Sequence, residues 1–237
     1  MSSKSTPTDL VSEADLASER ALRELLAVRR PDDGFVGEEG DDVEGTTGLR
    51  WLVDPLDGTV NFLFGIPQWC VSVAVCDDHG SVAGAVYDPN RDELFRAARG
   101  ESAVVECEGR AQAIAPRPAR PGLGGGSLGA AMLATGLAYD SRVRAAQARV
   151  LARAIPVVRD IRRFGSAALD LCWTAVGRYD AYFERTVKPW DIAAGTLVCE
   201  CAGVEIRDLP EHEDLPWGIL AAPPALMEEL FELVSGA

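Results

Sequence analysis

The stretch Trp51-Leu52-Val53-Asp54-Pro55-Leu56-Asp57-Gly58-Thr59 carries an apolar run straight into two acids, a glycine and a hydroxyl. Residues 51–53 read as a buried strand. Pro55 cannot donate to a sheet ladder, so the chain is expected to leave the sheet where Asp54 appears. Asp54 then points from a strand end, Asp57 can reach the same ion, and the Leu56 carbonyl between them offers a third oxygen. An all-oxygen donor set suits magnesium or manganese rather than zinc. Gly58 and Thr59 read as a turn opening a helix, whose free N–H groups and positive dipole end would cradle a phosphate. The competing reading is an Asp-Gly hairpin turn followed by an N-capping threonine, and this stretch alone leaves both open.

Two distant segments change the balance. Phe35-Val36-Gly37-Glu38-Glu39-Gly40 ends a short apolar run in paired carboxylates, and Lys188-Pro189-Trp190-Asp191-Ile192-Ala193-Ala194-Gly195 places one acid at the start of a small-residue helix. In this order, G-E-E, D-P-L-D-G-T-x-N-F and P-W-D-x-A-A-G resemble the inositol monophosphatase family, magnesium-dependent and lithium-sensitive members of a sugar phosphatase superfamily. The resemblance extends from Lys4 to the C-terminal helix. It implies an α+β fold of the inositol monophosphatase/fructose-1,6-bisphosphatase type, a layered α/β/α/β/α sandwich in one domain spanning residues 1–237. Lobes of roughly 1–120 and 121–237 would hold the site between them.

Carried over residue by residue, the resemblance makes Glu38, Asp54, Asp57, Asp191 and the Leu56 carbonyl metal ligands, with Asp54 shared between two ions. Asp15 and Thr59 would form the pair that orients the attacking water, with Glu38 beside them in the catalytic set. Gly58 and Thr59 would hold the phosphate through their N–H groups, with Asp57 and Asp191 also facing the substrate. Gly165, Ser166, Ala167 and Glu184 match positions that contact substrate ring hydroxyls. The implied reaction is hydrolysis by direct attack of water, with two or three Mg2+ ions, Mn2+ being an alternative, and without a phosphoenzyme. Four carboxylates in one cleft repel strongly without cations, which independently argues for a metal. Neither His79 nor His212 sits in a motif.

Each of these residues also has a plainer reading. Glu39 reads as a solvated neighbour of Glu38, and Asp15 as an exposed residue on the amphipathic segment that runs to Leu26. Glu184 follows Tyr182-Phe183 in a strand and reads as its outward face. Trp190 reads as core beneath the site, and Lys4 as a solvated terminal lysine.

At 237 residues and 47% hydrophobic, the chain can bury a sizeable core, as one layered domain or as two lobes. A net charge of −14 disfavours nucleic acid or an anionic membrane as partner. It also opposes the approach of an anionic substrate unless bound divalent ions reverse the local field. The N-terminus lacks an apolar core of signal-peptide length, and no stretch approaches the ~20 apolar residues of a membrane span, so a cytoplasmic location is expected. The six cysteines, Cys70, Cys76, Cys107, Cys172, Cys199 and Cys201, lie mostly in apolar runs and read as buried reduced thiols.

Along the chain the pattern predicts a helix at 13–28, strand entry at 34–37, then strands at 51–53, 69–76, 82–87 and 93–97 in a meander. Asp77-Asp78-His79-Gly80 marks a hairpin turn. The Pro- and Gly-rich stretch 116–126 reads as a linker between lobes. Beyond it, helices are expected at 141–155, 165–177, 192–202 and 224–234, with strands at 180–184, 203–206 and 217–221. Relatives carry about thirty further residues, as a helix, before the position of Lys4. Its absence here is expected to uncover apolar surface, through either a misassigned start or genuine shortening. The stretch 210–217 reads as compressed beside the glycine-rich hairpin usual in relatives.

Two functions of different class follow. One is an active phosphomonoesterase acting on a small phosphorylated polyol, first inositol monophosphate, with histidinol phosphate, fructose bisphosphate and 3′-phosphoadenosine phosphate as rivals. The other is a metal-binding interaction module without catalysis, which loss of Asp15, Thr59 or a ligand acid would favour; all are present. Assembly as a homodimer is left open.

Overall fold

The computed structural model describes residues 2–3, 10–115 and 127–236. A short antiparallel pair, β1 (Ser2–Ser3) with β2 (Leu10–Val11), precedes helix α1 (Glu13–Arg29). There follow β3 (Gly34–Gly37), β4 (Arg50–Asp57), a single-turn helix α2 (Thr59–Leu63), β5 (Cys70–Asp77), β6 (Gly80–Asp88), β7 (Glu93–Ala98), β8 (Val104–Cys107) and β9 (Arg110–Ala113). Strands β3 to β9 form a seven-stranded sheet in chain order, parallel only between β3 and β4. The expected meander is therefore present, and Asp78-His79 forms the tight β5–β6 turn, with Asp77 Oδ1 accepting from His79 N at 2.8 Å.

After a short 3-10 turn (Leu128–Ala130) come β10 (Met132–Thr135), α3 (Ser141–Ala154), β11 (Asp160–Arg162), α4 (Ala167–Ala175), β12 (Ala181–Arg185), α5 (Pro189–Cys201), β13 (Glu205–Leu209), β14 (Gly218–Ala222) and α6 (Pro224–Val234). The second sheet runs β11-β10-β12-β14-β13. The change of sheet falls between Ala113 and Met132; the linker expected at 116–126 lies outside the described residues. Within 210–217 the chain folds back tightly, His212 and Leu215 exchanging backbone hydrogen bonds at 2.9 Å.

The strands alternate their faces, and this sets the layers. Tyr182, Ile219 and Ala221 join Cys70, Ala74, Val86 and Phe95 of the first sheet, with α4 and α5 between them, in one buried cluster. Phe183, Leu220 and Ala222 point the other way and meet Val150 of α3 and Leu226 and Leu230 of α6 in a second cluster. Helix α1 packs on β4. The order is helix, sheet, helix pair, sheet, helix pair, the α/β/α/β/α sandwich. Beyond α1, the first sheet carries an apolar groove of about 350 Å3, lined by Trp51, Val73, Val75, Ala83 and Ala85 among others. Among the described residues no helix is long and apolar enough to cross a membrane. All six cysteines are free, four of them buried.

Two local expectations differ from the structure. Strand β4 does not end at Asp54: it continues to Asp57, with a register shift between the Asp54–Ser72 and Asp57–Cys70 pairs. Pro55 is tolerated because it sits in that irregularity, past the last β3 partner at Val53, where a missing N–H breaks no ladder bond. Strands β8 to β11 escaped the pattern reading. They are three or four residues long, and β9 is exposed along its whole length, so no alternation marks it.

Candidate active site

Helix α1 begins with a capping box. Ser12 Oγ accepts from Ala14 N at 3.1 Å and Asp15 N at 3.3 Å, and Asp15 Oδ2 takes both the N–H of Ser12, at 2.9 Å, and its hydroxyl. That leaves Asp15 Oδ1 to accept from Thr59 Oγ1 at 2.9 Å. Asp15 is fully buried, so its reading as an exposed helix residue fails. The same helix holds the neighbouring turns: Ser18 Oγ donates to Pro55 O at 2.9 Å, and Glu19 accepts from Glu39 N at 2.7 Å.

The irregular end of β4 is a polar turn. Asp54 Oδ1 accepts from Leu56 N at 3.0 Å, and the Leu56 carbonyl stands 3.1 Å from Thr59 Oγ1. Gly58 adopts φ +100° as the N-cap of α2, and a Cβ there would lie 2.9 Å from Gln68 O, so only glycine fits. Thr59 therefore opens a helix, as expected, and the hairpin alternative is excluded.

Asp57 reaches across to the start of α4. Its Oδ2 accepts from Ser166 Oγ and Ala168 N, both at 2.7 Å, with the Cys70 thiol at 3.8 Å. Ser166, the N-cap of α4, is 1% exposed, so it positions Asp57 and does not face the cleft as expected of a substrate contact. Helix α5 opens with Pro189, and Asp191 Oδ2 accepts from Lys188 N at 2.7 Å, fixing that carboxylate at the helix N-terminus. The helix sits close because Gly84 of β6 has no side chain: a Cβ there would lie 2.8 Å from the Ala194 backbone. Glu38 follows β3, its N–H bonded to Val53 O at 3.2 Å.

Glu38, Asp54, Leu56, Asp57 and Asp191 line one cleft of about 130 Å3, together with Gly58, Thr59, Gly165, Ala167 and Glu184. Asp15 and Ser166 stand behind its wall. Burial and then the charges of Glu38, Asp57 and Asp191 push the Asp54 carboxyl well above the usual carboxylate range. Burial raises Asp57 to about 6, against the pull of its bonds from Ser166 and Ala168. Asp191 rises well above its ordinary value, through burial and then the charge of Asp57. Carboxylates that destabilise each other's charge in one cleft fit a resident hard cation. Among the described residues no three histidine, cysteine or acidic side chains stand at coordination spacing, so the acids line an open cleft and not a closed cage.

Glu184 is not the outward face of its strand. Burial raises its carboxyl to about 7, while a hydrogen bond from Tyr182 Oη at 2.8 Å and the charge of Arg163 hold it down. Tyr182, Arg163 and Asn61 were not assigned from sequence. Asn61, 7% exposed, donates through Nδ2 to Gln68 O at 2.7 Å and Phe164 O at 2.6 Å, tying α2 to the loop before α4. An amide inside the apolar Thr59–Leu63 segment was the available signal. Trp190 is half-buried, and its Nε1 has no partner among the described residues.

The layered fold and the acid-lined cleft over a threonine–aspartate pair define a sandwich of the sugar-phosphatase type. Residues 1–236 match the inositol monophosphatase family, and the chain belongs to that family. It is 44% identical over 235 residues to an inositol-1-monophosphatase of Mycobacterium leprae, covering 96% of this chain and 78% of the relative. It is 39% identical over 235 residues to a protein of Pasteurella multocida named Nus factor SuhB, covering 98% of this chain and 84% of that one. The solved structure of Mycobacterium tuberculosis SuhB superposes with a TM-score of 0.81 at 40% identity, covering 92% of this chain and 82% of that chain.

Proposed function

We propose that this chain is a magnesium-dependent phosphomonoesterase that hydrolyses inositol monophosphate to inositol and phosphate by direct attack of water. The observation that carries the reading is the buried Thr59–Asp15 hydrogen bond behind a cleft lined by Glu38, Asp54, Asp57, Asp191 and Glu184. Magnesium held by Glu38, Asp54, the Leu56 carbonyl, Asp57 and Asp191 would supply charge compensation, Lewis-acid polarisation of the phosphate and a lowered pKa for water. Two or three ions fit the donor number, and manganese prefers the same oxygens.

With its proton given to Asp15, Thr59 Oγ1 keeps lone pairs to accept a hydrogen bond from the attacking water and to aim it at phosphorus. The N–H groups of Gly58 and Thr59 face the phosphate. The P–O bond to inositol breaks as the water oxygen bonds to phosphorus, and the water's proton balances the departing alkoxide. Gly165, Ala167 and Glu184 border the leaving-group side. The free thiols fit the reducing cytoplasm, and the net charge of −14 disfavours nucleic acid or an anionic membrane as partner.

An interaction module without catalysis is the second reading, suggested by the relative named a Nus factor. The intact Asp15–Thr59 pair and the full acid set favour the enzyme. Phosphate release from inositol monophosphate, histidinol phosphate, fructose bisphosphate and 3′-phosphoadenosine phosphate separates the readings. The highest kcat/KM is expected on inositol monophosphate. A tenfold preference for histidinol phosphate would reject the substrate and keep the phosphatase, and no release from any ester would leave the interaction module.

A further inference from the structure

Among the described residues, Arg163 is the one basic side chain bordering the acid-lined cleft. It sits between β11 and α4 and is exposed, and its guanidinium makes no hydrogen bond or ion pair with a described residue. None of its donors is therefore taken by a described residue. Glu184 lines the same cleft and is held by Tyr182, and Arg163 is near enough to lower the Glu184 carboxyl without closing into an ion pair.

Two glycines make room for these two charges. A Cβ on Gly165, whose φ is +84°, would lie 2.1 Å from Arg163 Nη1, and a Cβ on Gly136 would lie 1.9 Å from Glu184 Cδ. A side chain at either position would displace one member. The two glycines thus leave room for a donor and an acceptor that line one cleft without joining in an ion pair.

We propose that Arg163 is a specificity-determining residue, which with Glu184 brackets one hydroxyl of a polyol phosphate: the hydroxyl donates to Glu184 and accepts from Arg163. This inference rests on the phosphatase reading and adds a reason for its substrate class. A hydroxyl is both donor and acceptor, so it satisfies both charges at once. A second phosphate or carboxylate would suit Arg163 and be repelled by Glu184. An ammonium or imidazolium would suit Glu184 and be repelled by Arg163.

The test compares Arg163→Ala, Glu184→Gln and the double variant with wild type on inositol monophosphate and on 4-nitrophenyl phosphate, which has no alkyl hydroxyl. Arg163 is exposed and hydrogen-bonds to no described residue, so its variant should melt with wild type. Its kcat/KM on inositol monophosphate should fall about tenfold more than on the aryl ester, since an unmatched polar group costs recognition of the partner that needs it. The double variant should lose little beyond the worse single variant, because the two residues share one hydroxyl. Gly136→Ala, which displaces Glu184, should reproduce the Glu184→Gln selectivity. Equal losses on both esters, or fully additive losses, would overturn the bracket. So would a selective loss on a polyol bisphosphate with inositol monophosphate untouched, because Arg163 would then read a second anion. Wild type inactive on both esters would overturn the phosphatase reading itself, and the bracket with it.

Discussion

Thr59 Oγ1 donates to Asp15 Oδ1 at 2.9 Å across 44 positions of sequence, and the other oxygen of that carboxylate caps helix α1. One acid thus ties the start of the first helix to the turn that faces the phosphate. Thr59→Ala should lower kcat by about 10²–10⁴ with KM little changed, since a positioning group acts on the chemical step. Asp15→Asn should add a stability loss of about 1 kcal/mol, because an amide nitrogen facing Ser12 cannot accept its bonds. Steady-state kinetics with thermal melts check both. An effect confined to KM would contradict the assignment.

Divalent cation should be obligatory. Asp54 is 2% exposed, and its charge is opposed by Glu38, Asp57 and Asp191. Asp54→Asn should nearly abolish turnover and weaken magnesium binding in calorimetry while the fold is kept. The family resemblance adds inhibition by lithium in the millimolar range, which a lithium titration of the rate checks; an indifferent rate would set this chain apart from lithium-sensitive relatives.

Stability should fall as pH rises from about 4 through neutral. Burial and then the charge of Glu184 push Asp170 well above the usual carboxylate range, and burial raises Glu184 to about 7. Both Asp170 oxygens lack a hydrogen bond of good geometry among the described residues, although Tyr179 stands near enough to moderate the shift. The folded chain keeps these protons at pH values where the unfolded chain has released them. The Glu184 contribution is therefore full below about pH 4 and lost as pH rises through about 7, and Asp170, raised in the same direction, adds a loss of the same sign. Asp170→Asn and Glu184→Gln should flatten the decline of Tm between pH 5 and 8. Variants that follow the wild-type slope would reject this origin.

Asn61 should matter for both fold and rate. Its bonds to Gln68 O and Phe164 O join α2 to the α4 side of the cleft. Asn61→Ala leaves two carbonyls without that donor and should cost about 1–3 kcal/mol in denaturant unfolding. It should also raise KM, because α2 and the loop at Gly165 border the same cleft. A variant unchanged in both respects would show the bridge to be idle.

The sequence carried most of this fold because its long elements announce themselves. Helices α1, α3, α4, α5 and α6 and strands β5, β6 and β7 follow from periodicity and from Gly or Pro punctuation. What it hid was tertiary. Pro55 argued for a strand end, and only the loss of the β3 neighbour beyond Val53 explains why β4 runs on. Asp15 was paired with Thr59 by the resemblance alone, because its local pattern is that of an exposed helix residue and its burial comes from α1 packing on β4. Ser166 looked like a substrate contact, yet as a helix cap its hydroxyl is turned to Asp57. Arg163 and Gly136 carry no local pattern, because their meaning lies in what they face across the cleft.

The most direct measurement is phosphate release from inositol monophosphate by wild type and Asp54→Asn, each with saturating magnesium and with excess chelator. Turnover is predicted for wild type with magnesium alone, and background release in the other three conditions. Sustained release in chelator, or an Asp54→Asn variant as fast as wild type, would contradict a metal-dependent phosphatase built on this cleft.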